Sequence, residues 1–348
     1  MKISEILNRL YKNKIPKKED LIIALSSKNE KEIQYIFNYA DKIRKKFVGN
    51  GIFLRGIIEF SNHCQNTCLY CGLNAKNQNI TRYSLTKKEI LNSANQIYKD
   101  NIQTVVLQSG ETNDLDINWL ADIIKTIKNK YSEMAITLSI GEKTFQEYEI
   151  LKRAGADRYL LKMETYDKNL YEFLHPDLHF EDKLESLDEL KKLNFQVGSG
   201  NIIGFQNQSI ESIANDIINF KTKNYDMVSI SPFIPHPNTP LAGKNNLDIE
   251  LILKTIALSR IVTKKTHIPA TTALGSIGKD YRIDALKVGA NVIMPNYTPV
   301  KNRKLYEIYP NKRCIDEPLG MRAKCLERLA HSIGRKIASG RGDSVLNS

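Results

Sequence analysis

Cys64-Gln65-Asn66-Thr67-Cys68-Leu69-Tyr70-Cys71 follows directly on the apolar run 54–60, and the reading of this junction decides the reading of the whole chain. Its three cysteines are spaced C-x3-C-x2-C. Thiolates are soft ligands for iron-sulfur clusters and zinc, and so short a loop can wrap all three around one metal centre. A four-iron cluster held by three cysteines leaves one iron open to a ligand that is not protein. The same residues also suit a zinc site of three cysteines and His63, buried thiols, or half of a disulfide framework. The aromatic Tyr70 before the last cysteine and the strand-like run before the first favour the cluster, because such a motif needs its structural context.

Outward from the loop, apolar β-branched runs at 54–61, 104–110, 135–141, 158–165, 196–204, 227–235, 268–275 and 291–299 alternate with helical patterns at 87–101, 145–153, 183–193, 210–221, 247–262 and 283–287. This alternation predicts an α/β fold, a complete parallel (β/α)8 barrel of the TIM type over residues 51–300. Two junctions, RAGAD at 153–157 and KVGAN at 287–291, place Gly155 and Gly289 where a helix should end and a strand begin. Residues 3–46 read as helices broken at Pro16, so 1–50 form an N-terminal helical extension expected to cover one end of the barrel. Residues 301–348 form a C-terminal extension packing on it.

A chain of 348 residues with 41% hydrophobic content buries a large core. No apolar run approaches the ~18 residues of a membrane span, and no signal-peptide pattern opens the sequence. We expect a cytoplasmic protein without a membrane partner. Five cysteines, three of them clustered, speak against a secreted disulfide scaffold. The net charge of +12 lies in the two ends, since residues 51–300 hold 28 basic and 28 acidic side chains. A basic surface attracts nucleic acid or an acidic protein. Lysine-rich solvated helices account for the charge as well, and without an aromatic-basic stripe no nucleic-acid partner is expected.

Barrel enzymes carry their chemistry at the C-terminal strand ends. Polar residues fall there: Gln108-Ser109-Gly110-Glu111, Ser139-Ile140-Gly141-Glu142, Lys162-Met163-Glu164-Thr165, Thr271-Thr272 and Met294-Pro295-Asn296. Together with the cysteine loop, this resembles the radical S-adenosylmethionine (SAM) superfamily, in which the open iron of a 4Fe-4S cluster held by Cys64, Cys68 and Cys71 binds the amino and carboxylate groups of SAM. The resemblance implies that Gln108, Ser109 and Glu111 receive the SAM ammonium, Glu164 the ribose hydroxyls, and Lys162 and Lys183 the carboxylate, with Tyr70 and Ser139 completing the set.

At a finer level the chain resembles the HydE family of FeFe-hydrogenase maturation enzymes, which belongs with the biotin synthase-like radical SAM enzymes. The resemblance rests on IIEFSNHCQNTCLYCGL (57–73), TVVLQSGE (104–111), AITLSIGEKTF (135–145), GADRYLLKMET (155–165), SISPFIPHPNTPLA (229–242), IPATTALG (268–275), GANVIMPNYTP (289–299) and LYEIYP (305–310). It implies a 5'-deoxyadenosyl radical acting on an iron, carbonyl, cyanide and cysteine precursor held by Arg158, Thr271, Thr272, Met294 and Tyr306. Its implied partners are two sister maturases, a tyrosine-cleaving radical SAM enzyme and a GTPase scaffold, and a reductant such as ferredoxin or flavodoxin. Lys162 and Lys183 stand where the family carries arginine. Family members with an accessory cluster have a third cysteine between the other two. None lies between Cys314 and Cys325, so a second cluster is not expected. Two other readings remain: a related radical SAM enzyme on an organic amino acid, of the methylornithine synthase kind, and a non-catalytic metal-binding scaffold.

Overall fold

An unexpected strand, β1 (Gly51–Leu54), comes first, and seven of the eight β-branched runs then form β2 (Gly56–Ser61), β3 (Thr104–Ser109), β4 (Ala135–Ser139), β5 (Arg158–Leu160), β6 (Gln196–Ile203), β7 (Met227–Pro232) and β8 (Val292–Ile293), while the C-terminal extension adds β9 (Lys336–Ile337). The structure is a computed structural model that describes residues 2–313, 315–316 and 322–346. Every ladder is parallel. One sheet runs β2-β3-β4-β5-β6-β7, and a second runs β8-β1-β9.

The ladders therefore stop short of the complete eight-stranded cylinder expected from the sequence. The departure falls where Pro269 and Pro295 remove the N–H groups that a ladder needs. The run 268–275 turns into a short 3-10 helix at Thr272–Gly275, and β8 is reduced to two residues. Isolated parallel bridges, Met227 with His267, Pro269 with Val292 and Ile57 with Asn296, link the sheets across these segments.

Local chemistry sets the crossovers. Thr86 and Thr144 form reciprocal capping boxes with Glu89 and Glu147, and the side chains of Asp116, Asp167, Ser209 and Asp248 accept the first free N–H groups of their helices. On the return turns, Gly155 and Gly289 take positive φ as the sequence indicates, and Asn101, Asn194 and Asn224 do the same with φ of 57°, 58° and 50°.

Three helices, Ile3–Lys12, Lys18–Ser26 and Glu30–Val48, form the N-terminal extension. Instead of covering an end of the barrel they lie on its flank, against the helices Ile210–Thr222 and Ile249–Thr263. Ile249–Thr263 is buried from Ile252 through Thr263. A helix buried on all sides needs such an outer layer, and its charged Lys254 and Arg260 donate to the carbonyls of Ser27, Gly289 and Lys264.

The end of the chain crosses the N-terminal ends of the strands. The carbonyls of Arg341 and Gly342 accept from Thr104 Oγ1 at 2.8 Å and from Arg55 Nη2 at 3.2 Å. Asp343 receives Arg158 Nη2 at 2.6 Å and Gln196 Nε2 at 3.1 Å. Thr104, Arg158 and Gln196 are each the first residue of a strand, so this tail forms the floor of the sheet.

Candidate active site

At the opposite end, the cysteine loop leaves β2 and is held by buried asparagine amides. Asn62 Nδ2 donates to the carbonyls of Thr81 (2.8 Å) and Leu305 (2.7 Å), and Asn74 Nδ2 donates to Cys68 O (2.8 Å). Asn77 Nδ2 donates to Gly72 O at 2.7 Å. The Arg82 guanidinium gathers the carbonyls of Asn62, Leu73 and Asn74 within 2.9 Å. Irregular backbone is thereby satisfied without a regular element. Gln65 N donates to Glu111 O at 2.7 Å, which fastens the loop to the end of β3. A Cβ on Gly110 would strike the His63 carbonyl, so only glycine lets the two segments meet.

The loop closes one side of a cavity of about 330 Å³. Cys64, Cys68, Tyr70 and Cys71 line it together with Gln108, Ser109, Glu111, Ser139, Lys162, Glu164 and Lys183, and its farther part carries Thr271, Thr272, Met294 and Tyr306. Residues far apart in sequence thus share one space. Lys162 Nζ lies 2.9 Å from Glu164, and Lys183 Nζ lies 2.5 Å from Glu142. Burial disfavours the Lys183 charge, but Glu111, Tyr171 and Glu142 outweigh it and hold the ammonium above its ordinary pKa. Glu164 adopts φ +64° while its N–H bonds to Gly200 O at 3.0 Å, a strained placement of the kind found where a side chain must be aimed.

His175 was not legible in the sequence. Burial, then Lys183, lowers its pKa to about 3, so the imidazole is neutral. Its Nδ1 faces the Tyr171 carbonyl at 2.8 Å and must donate there. Nε2 is then the acceptor for the Tyr70 hydroxyl at 2.9 Å, and this fixes the ring beside Cys71.

Arg158 is the exception among the expected substrate residues. It opens β5, at the N-terminal end, and borders a separate crevice of about 10 Å³ with Arg55, Asp226 and His267. Its guanidinium serves Asp343, Thr104 Oγ1 and the Arg341 carbonyl. The structure places it at the floor of the sheet, apart from the cavity that holds the other expected substrate residues. Arg158→Leu is expected to lower stability by about 2–4 kcal/mol, because buried polar partners lose their donor. Chemical denaturation checks this, and the SAM affinity of the surviving folded protein should be unchanged.

The donor set fits a cluster with SAM. Cys64, Cys68 and Cys71 are free of disulfides, which removes the disulfide reading. Loss of water, then the neighbouring thiols, pushes the Cys68 thiol well above its ordinary pKa, and burial, then Cys64, pushes Cys71 up to about 12. Ionised, the Cys68 and Cys71 thiols need concentrated positive charge beside them, as bound iron would supply. Among the described residues no three His, Cys, Asp or Glu side chains converge on a point that one ion could fill. His63 is exposed and lies outside this cavity. A Cβ on Gly141, which has φ +77°, would overlap the Glu111 carboxylate, so glycine there makes room for the group expected to meet the SAM ammonium. Cys325 is an exposed free thiol on the helix Arg322–Ser332. Cys314 lies outside the described residues.

The radical SAM superfamily pattern matches residues 58–217. Over 332 residues the chain is 43% identical to the FeFe hydrogenase maturase subunit HydE of Thermotoga maritima, covering 95% of this chain and 94% of that one. It is 30% identical over 280 residues to the 3-methylornithine synthase of Methanosarcina acetivorans, 79% of this chain and 78% of the other. The crystal structure of methylornithine synthase (PylB) superposes with a TM-score of 0.83 at 26% identity, covering 96% of this chain and 97% of that one. None of the described helices is long and apolar enough to cross a membrane.

Proposed function

The chain belongs to the HydE family of radical SAM enzymes, and from that premise we propose that it acts on an iron, carbonyl, cyanide and cysteine precursor in assembly of the two-iron subcluster of an FeFe hydrogenase. The observation that carries the reading is the single cavity joining the cysteine loop and Glu111 to Thr271, Met294 and Tyr306. The cluster held by Cys64, Cys68 and Cys71 would supply the one electron needed for reductive cleavage of SAM.

The protein's own residues then have distinct tasks. Cys64, Cys68 and Cys71 would hold the cluster. Gln108, Ser109 and Glu111 would receive the SAM ammonium, Ser139 and Tyr70 would flank it, and Glu164 would accept from the ribose hydroxyls. Lys162 and Lys183, each already beside a carboxylate, would meet the SAM carboxylate as point charges, without the fork of an arginine. Lys183→Arg is therefore expected to tighten SAM binding several-fold, by roughly 1 kcal/mol. Equilibrium dialysis checks this, and an unchanged affinity would remove the carboxylate role. The bridges at His267, Pro269 and Asn296 support a sheet completed into a barrel around the substrate, which keeps a radical from water. An outer groove bordered by Cys64, His63 and Trp119 supports electron entry there from a ferredoxin or flavodoxin.

The partners in this reading are the tyrosine-cleaving sister maturase and the GTPase scaffold. The decisive experiment is anaerobic maturation of apo-hydrogenase with these two proteins, SAM and reductant. Hydrogen evolution should require this chain. SAM cleavage without maturation would move the substrate to an amino acid, as the likeness to methylornithine synthase allows.

A further inference from the structure

The wall of the same cavity carries a charge pair that neither the cluster nor SAM accounts for. Lys312 Nζ donates to Glu59 Oε1 and, at 3.4 Å, to the Tyr306 carbonyl, and it lies 5.0 Å from the centre of the Tyr306 ring. Glu59 stands on β2 and receives Asn296 Nδ2 at 2.7 Å on its other oxygen. The two charged side chains are only 8% and 3% exposed, and both residues line the cavity. Desolvation of such a pair cancels most of its attraction, so an apolar pair of similar volume would serve stability as well. Its presence in the wall points to a ligand.

An ammonium has three N–H donors. The Glu59 carboxylate takes one and the Tyr306 carbonyl a long second, which leaves capacity for a group inside the cavity. Thr271 Oγ1, in the same wall, is buried and has no hydrogen-bond partner. Arg158, the cation expected from sequence to meet the substrate, is engaged by Asp343 on the floor.

We propose that Lys312 is the substrate-binding cation, receiving an anionic iron complex that bears cyanide and carboxylate groups, with Thr271 Oγ1 as a second donor and Glu59 as the residue that positions the ammonium. The assignment rests on the organometallic reading of the function. Gln108 Nε2 donates to the Tyr306 hydroxyl at 3.0 Å, so the ring above which Lys312 sits is also tied to the end of the cavity where SAM is expected. Substrate charge and SAM are thereby held by one connected wall.

The test uses cluster-loaded protein and an iron carbonyl cyanide cysteine complex as probe, titrated, desalted and quantified through its carbonyl and cyanide stretching bands. Lys312→Met should retain the probe about 10- to 100-fold more weakly, as for loss of a hydrogen bond to a charged group. In turnover its KM for the probe should rise more than its kcat falls. Lys312→Arg should recover most of the affinity. The double variant Glu59→Gln/Lys312→Met leaves no buried charge unpaired, so it should unfold at the wild-type temperature and still bind as weakly as Lys312→Met. Wild-type retention by the double variant would make the pair purely structural and overturn the assignment. Equal retention by wild type and Lys312→Met would overturn it alone. Failure of the wild type itself to retain the probe would overturn the organometallic reading and this assignment with it.

Discussion

Cys68→Ala is expected to lower 5'-deoxyadenosine formation by at least ~1000-fold, equivalent to about 4 kcal/mol of barrier. The variant leaves Cys64 and Cys71, and two thiolates do not replace the three-cysteine set that leaves one iron open. Cys68→Ser should be nearly as damaging, since a hydroxyl is a hard ligand with a much higher pKa. Iron and sulfide content after anaerobic reconstitution, together with chromatography of the SAM cleavage products, measures the effect. The loop itself should persist, because Asn62, Asn74, Asn77 and Arg82 hold it through backbone carbonyls. Cluster-free Cys68→Ala should therefore melt with the cluster-free wild type, and substantial SAM cleavage by the variant would defeat the assignment of the loop.

Gly141→Val should weaken SAM binding by roughly 10- to 100-fold, as when a hydrogen bond to a charged group is lost. Two costs combine at this position. The left-handed backbone at φ +77° disfavours any side chain by about 1–2 kcal/mol, and the new Cβ overlaps the Glu111 carboxylate. Glu111→Gln provides the comparison, since it should weaken SAM binding without the loss of stability. Calorimetric SAM titration with thermal unfolding separates the two costs. If Gly141→Val bound SAM as the wild type does, Glu111 would have no part in receiving the ammonium.

The cysteine spacing, the aromatic beside it and the polar strand ends were legible because each is local. The turn asparagines at 101, 194 and 224 were equally open to reading, as each follows a helix end that carries lysine and precedes an apolar run. Arg158 carried its own warning: it begins its strand, and the chemistry of such sheets gathers where strands finish. What the sequence did not disclose is long-range. Glu59 and Lys312 are 253 residues apart, and no periodicity connects them. His175 acquires its role only because the helix Lys168–Leu174 delivers it to Tyr70. The missing ladder at 268–275 was visible as Pro269, yet the β-branched neighbours outweighed it in a reading by pattern.

The floor strand and tail have a consequence for how the protein is made. Residues 336–346 follow every barrel strand in the chain, so they leave the ribosome after all the elements they brace. Until then one edge of β1 lacks its β9 partner, and Arg55 and Arg158 lack the carbonyls and the carboxylate that receive them. The nascent sheet thus passes through a stage with an open edge and uncompensated charge at its base, the condition in which chains pair with their neighbours. Completion of the fold is timed by the arrival of residues 336–346 at the base of the sheet.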